Sequence, residues 1–152
     1  MIQFHSVFQN ALVVFLISAS CGVFQETLGL AESQNKHRVF NAVVTDSQGV
    51  ESEIKNVLFY WEEKVSETAF VPHELRDVPV KKGTATIKVK FDHIKQIDVK
   101  SAADSGTPMI IITLANGKTG EFLLAINGSF KGLSDFGEAE FPANGLKQIV
   151  FK

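Results

Sequence analysis

A single cysteine, a single tryptophan and a single tyrosine stand among 152 residues, against 13 phenylalanines. One cysteine cannot form a disulfide within the chain, so packing and backbone hydrogen bonds must hold the fold. Scarce Trp and Tyr argue against a sugar- or base-stacking platform, because phenylalanine has ring area but no polar handle and mainly fills cores. A basic excess is lacking too. The 15 Lys and Arg face 17 Asp and Glu, a formal net charge of −2, which removes the electrostatic drive toward nucleic acid or an anionic membrane. There is no nucleophile elbow, phosphate-cradling glycine loop or dinucleotide fingerprint. His37, His73 and His93 share no metal-ligand spacing. No catalytic residue, metal or cofactor is therefore assigned, and the expectation is a protein that is not an enzyme.

Lys and Arg are absent from the first 35 residues. Within them ALVVFLISASCGVF, residues 11–24, is an apolar run too short to cross a bilayer as a helix. In the following QETLGLA, Gly29 and Ala31 occupy the small-residue positions of a signal-peptidase site. This predicts a signal peptide over residues 1–31, cleavage before Glu32 and a periplasmic or secreted product. The opening MIQFHSVFQN fits less well, having little positive charge. Cys21 ends SASC, which resembles the lipidation signal of bacterial lipoproteins, but Ser18 stands where that motif has leucine. A lipid anchor at Cys21 is therefore not favoured, and cleavage after Ala31 leaves no thiol.

Beyond residue 35 the chain reads as strands and turns. RVFNAVVTD, VESEIKNVLFYW, PMIIITLA and KTGEFLLAI are β-branched or apolar runs separated by glycine turns. Asn116-Gly117 predicts a two-residue type I′ hairpin turn. TDSQGVESEI lies on TLANGKTGEF, with Gly49 on Gly117, and VKFDHIKQIDV lies on FPANGLKQIVF without a gap. The two endings, HIKQIDVK and GLKQIVFK, are nearly the same. Ile94 to Ile97 and Leu146 to Ile149 are spacings of three, which predict a single helical or 3₁₀ turn, with Asp92 and Asn144 as caps. The same alignment sets Asp92-His93 on Asn144-Gly145, favouring a turn over an acid–base pair. PMIIIT would be an aggregation-prone edge unless paired, so it is expected to lie centrally or between subunits.

The expected fold is all-β: two tandem related small β units, barrel- or sandwich-like, sharing a core and preceded by the signal peptide. The first unit covers residues 32–103 with an insertion at 62–82, and the second covers 104–152. A unit of this size without disulfide or metal rarely folds alone, so the two should bury a common interface. Asn116-Gly117, with Phe141-Pro142 leading into Leu146, Lys147, Ile149 and Phe151, resembles uncharacterised secreted bacterial β-repeat domains. The strand-turn-strand opening is more loosely similar to Sm-like small barrels. That resemblance implies architecture and brings no catalytic residues.

The most individual stretch is LFYWEEKVSETAFVPHELRDVPVKK, residues 58–82. Alternation sets Leu58 and Tyr60 on one face and Phe59 and Trp61 on the other, one pair meeting the core. Tyr60, Trp61, Phe70 and Val71 form the candidate binding surface. The expected function is an exported non-catalytic interaction or accessory module of the cell envelope, with an unidentified envelope or extracellular protein as partner. Nucleic acid and a membrane span are not expected. The alternative is a small-ligand or carbohydrate-binding domain.

Overall fold

The computed structural model describes residues 38–100 and 106–152. The predicted signal peptide, its cleavage site and Cys21 lie outside the described residues. Alternating apolar and polar positions produce β1 (Ala42–Asp46), β2 (Glu51–Lys64), β3 (Phe70–Leu75), β4 (Asp77–Lys82), β5 (Ala85–Lys90) and β6 (Ile94–Lys100). The rest of the chain forms β7 (Met109–Leu114), β8 (Thr119–Leu124), β9 (Ser129–Ser134), β10 (Gly137–Pro142) and β11 (Leu146–Phe151). Among the described residues there is no α-helix, and hence none long and apolar enough to cross a membrane.

The strands form one 11-stranded antiparallel sheet in the order β10-β9-β2-β1-β11-β6-β7-β8-β4-β5, with β3 joined to β2. The fold is all-β, as expected, but the small-barrel expectation is corrected: the sheet is open, with β10 and β5 as its ends. Both end strands carry charge on alternate positions, Glu138 and Glu140 on β10 and Lys88 and Lys90 on β5, which discourages further strand pairing. β7, the PMIIIT strand, lies between β6 and β8.

The strand order is palindromic. It reads the same from either end once β1–β2 is set against β7–β8, β4–β5 against β9–β10, and β6 against β11. The registers agree in detail. Ala42 faces Phe151 as Ile110 faces Val99, and Val44 faces Ile149 as Ile112 faces Ile97. At the centre Ile97 and Ile149 face each other. The two KQI segments are thus neighbours, and the Gln96 and Gln148 amides both donate to Asp98 at 2.8 to 2.9 Å. β1–β2 pairs outward with β11 and β9 from the C-terminal half, while β7–β8 pairs with β6 and β4 from the N-terminal half.

Two local expectations are corrected. The spacing of three between Ile94 and Ile97 is a β-bulge, with the register shifting between Ile94 and Gln96. The extra residue lets two inward side chains sit three apart within one strand. The 3₁₀ turns lie just before, at Phe91–His93 and Ala143–Gly145, and no side chain caps them. Asp92 and Asn144 sit inside these turns. The β7–β8 connection is not type I′ either, since Gly117 has φ +85° while Asn116 is not in the left-handed region. Gly117 N–H donates to the Leu114 carbonyl and Lys118 N–H to Asn116 Oδ1, the three-residue loop that ends on a left-handed glycine. Gly49, at φ +83°, closes the β1–β2 turn in the same way.

One hydrophobic cluster serves the whole sheet and draws on both halves: Val44, Ile54, Phe59 and Val80 from one, Ile112, Phe130 and Ile149 from the other. Residues 39–152 accordingly form one compact unit. Phe91 packs its ring against Phe40, Phe130 and Phe151 at centroid distances of 5.6, 6.5 and 5.0 Å. β9 approaches β2 closely because Gly128 and Gly132 carry no Cβ. A Cβ on Gly128 would lie 2.6 Å from the Tyr60 carbonyl oxygen, and one on Gly132 would lie 2.9 Å from Ile54 Cβ. Gly128→Ala is expected to cost about 1–3 kcal/mol by overpacking, read as a lower urea midpoint at constant slope.

Candidate functional site

β2 is long enough to leave the sheet. β9 follows it only to Tyr60, and from Glu62 to Lys64 its partner is β3 alone. The β2–β3 hairpin therefore ends in a two-stranded arm, with Phe70 and Val71 on it and Tyr60 and Trp61 at its base. The arm does not bring them together. Tyr60 faces Glu74 and Phe70 faces Lys64, whereas Trp61 faces His73 and Val71 faces Glu63. Alternation then puts Tyr60 and Phe70 on one side of the hairpin and Trp61 and Val71 on the other. It is the Phe59 and Trp61 pair that meets the core.

Two of the three aromatics, Trp61 and Tyr60, are engaged. The Trp61 indole packs on the core and stacks on the His73 ring at 4.2 Å and 10°. His73 Nε2 in turn lies 3.1 Å from Glu63 Oε2. The Tyr60 hydroxyl donates to Glu62 Oε1 at 2.5 Å. That hydrogen bond, then desolvation and the carboxylates of Glu62, Glu140 and Glu74, pushes the phenol up to about 12. Lys131 Nζ sits 3.4 Å over the Tyr60 ring and 3.2 Å from Glu140 Oε2, a cation–π contact held by an ion pair. Phe70 and Val71 are the open members, 55% and 41% exposed.

A second site has no counterpart among the sequence-selected residues. β4 touches β8 at only two positions, Val80 with Leu124 and Lys81 with Leu123. The β4–β5 hairpin thus diverges from the first part of β8 and leaves a cleft of about 520 Å³ between β5 and the β7–β8 pair. The apolar surface of the cleft comes from Ile87, Val89, Ile112, Leu114 and Phe122. Lys82, Lys118 and His93 also line it, as do Lys88 and Lys90, whose side chains alternate with Ile87 and Val89 and leave β5 on its other face. No Asp or Glu lines it. Lys82 and Lys118 were legible as residues in KK and NGKTG, but their convergence depends on strands far apart in sequence.

His93 is exposed on its 3₁₀ turn, and its backbone carbonyl accepts from Ala115 N–H. His73 has a carboxylate neighbour but stands on the arm, away from the cleft. Among the described residues no group of three His, Cys, Asp or Glu side chains is placed to hold a metal ion. The cleft can do what an apolar trough under ammonium groups does: desolvate a nonpolar segment and attract a negative charge.

Comparison with curated proteins finds no match. A family model described as an uncharacterised protein matches residues 36–152, and the chain belongs to that family.

Proposed function

We propose that this protein is an exported, non-catalytic binding module of the cell envelope, built by tandem duplication, and that its recognition site is the cleft between β5 and β7–β8. The observation that carries this reading is the cleft itself, a preformed, mainly apolar trough of about 520 Å³ whose lining includes lysines and no Asp or Glu. Small-molecule sites span roughly 300–1,000 Å³ and combine apolar walls with a few polar groups, as this one does. Export is supported by the apolar segment before Glu32 and its small-residue cleavage pattern. Duplication is supported by the palindromic strand order and the matching turns at Gly49 and Gly117. These features also favour kinship with secreted bacterial β-repeat domains.

Nile red, a neutral dye, tests the site without presuming a charge on the ligand. It is expected to bind saturably at one site. Ile87→Asp, which sets a carboxylate on a cleft wall already 39% exposed, is expected to weaken that binding about tenfold or more. Unchanged binding in this variant would remove the cleft from the proposal.

A second reading places a protein partner on the arm, favoured by the open side chains of Phe70, Val71 and Val65 at its tip. A partner lost with Phe70→Asp but retained with Ile87→Asp would make the arm the recognition element.

A further inference from the structure

We infer that the cleft takes a single-chain anionic amphiphile, an unbranched alkyl tail bearing a carboxylate, sulfate or phosphate head. The inference rests on the binding reading above and adds the chemistry of the ligand. The tail would lie on the apolar trough. Ile112 faces Gly120 across β7–β8, and Ile110 faces Phe122. A Cβ on Gly120 would fall 2.6 Å from the Phe122 ring, so the missing side chain is what lets that ring lie along β8 as a flat wall. This wall and the Ile87 and Val89 side chains of β5 bound a slot suited to a linear hydrocarbon.

The head would meet the lysines. Lys82 Nζ lies 6.0 Å from the Phe122 ring centroid, so its alkyl stem extends the apolar wall while its ammonium group stays at the mouth. Among the described residues Lys82 and Lys118 are in no ion pair, a state shared with Lys64, Lys81, Lys95 and Lys147, and the cleft lining beside them holds no Asp or Glu. Edge protection accounts for lysine on β5. It does not account for Lys82 at the end of β4 or Lys118 in the β7–β8 turn, which add their charge to the same opening. Two like charges at one opening, with no Asp or Glu in the cleft lining, favour an anionic occupant, and more so beside a low-dielectric wall.

The test is calorimetric titration of the protein with octanoate, decanoate and dodecanoate below their micelle concentrations. Decyl maltoside supplies a tail without charge, inorganic sulfate a charge without a tail, and phosphatidylglycerol vesicles an anionic surface. The fatty acids are expected to tighten about fourfold per added methylene and to weaken as salt rises. Lys82→Glu, and separately Lys118→Glu, should each lower decanoate affinity about tenfold or more without moving the melting temperature, whereas Lys88→Glu, on the other face of β5, should leave it nearly unchanged. Decyl maltoside binding as tightly as decanoate would overturn the anionic assignment while leaving the binding module intact. Sulfate matching decanoate would overturn the tail, and binding to vesicles alone would overturn the single-chain ligand. No saturable binding of any probe, Nile red included, would overturn the inference and the proposed function together.

Discussion

Residues 104–152, produced alone, are expected to give no cooperatively melting monomer. This segment holds β7 to β11, and within it only the β7–β8 and β9–β10 hairpins keep their partners. β11 loses both β1 and β6, β9 loses β2, and β8 loses β4. Every bond joining one hairpin to the rest crosses to the N-terminal half, and an isolated two-stranded hairpin is marginal in water. The core divides as badly, because Ile112, Phe130 and Ile149 bury against Val44, Ile54, Phe59 and Val80. The fragment is expected to show broad, non-cooperative thermal unfolding, or to fold only as a dimer in which a second copy supplies the missing strands. Circular dichroism melts read together with sedimentation equilibrium distinguish these states. A sharp melt from a monomer would mean that the halves do not depend on each other.

Phe91→Ala is expected to destabilise the protein by about 3–5 kcal/mol, the range for emptying a buried aromatic site. Phe91 lies between the edge strand β5 and the central strand β6, and it is 1% exposed. Its ring touches Phe130 of β9, near the opposite end of the sheet, as well as Phe40 and Phe151. No single relaxation can refill the space, because the neighbours belong to separate segments whose registers are set by backbone pairing. The result would appear as a lower urea midpoint with an unchanged slope. Phe136→Ala is the matched control: its ring is fully open at the β9–β10 turn and should have almost no effect. A loss under about 1 kcal/mol for Phe91 would deny it that linking role.

Much of the architecture was legible in local pattern. Ala85-Thr86-Ile87-Lys88-Val89-Lys90 alternates as a strand must, and it is β5. The matched KQI endings foretold related environments, and Ile97 and Ile149 face each other. Other features were open to two readings. A spacing of three fits a helical turn or a bulged strand, and the bulge depends on the partner strand's register. Residues 62–82 looked like one insertion, yet β4 pairs with both β5 and β8 and so belongs to the main sheet. The part that stands apart is the β2–β3 arm. Tyr60 and Trp61 adjoin residues 62–82 and Phe70 and Val71 lie within them, but neighbours in a strand point to opposite faces, so the four do not share one surface.

Strands, turns and the demand for a shared core were written in the order of residues, because alternation, left-handed glycines and the lack of disulfides act within a few positions or through composition. The open sheet, the exchange of strands between halves and the meeting of Lys82 and Lys118 at one cleft were decided by tertiary structure. Which strand edge pairs with which is a contest among long-range partners, settled by the total surface buried and by where glycines allow close approach.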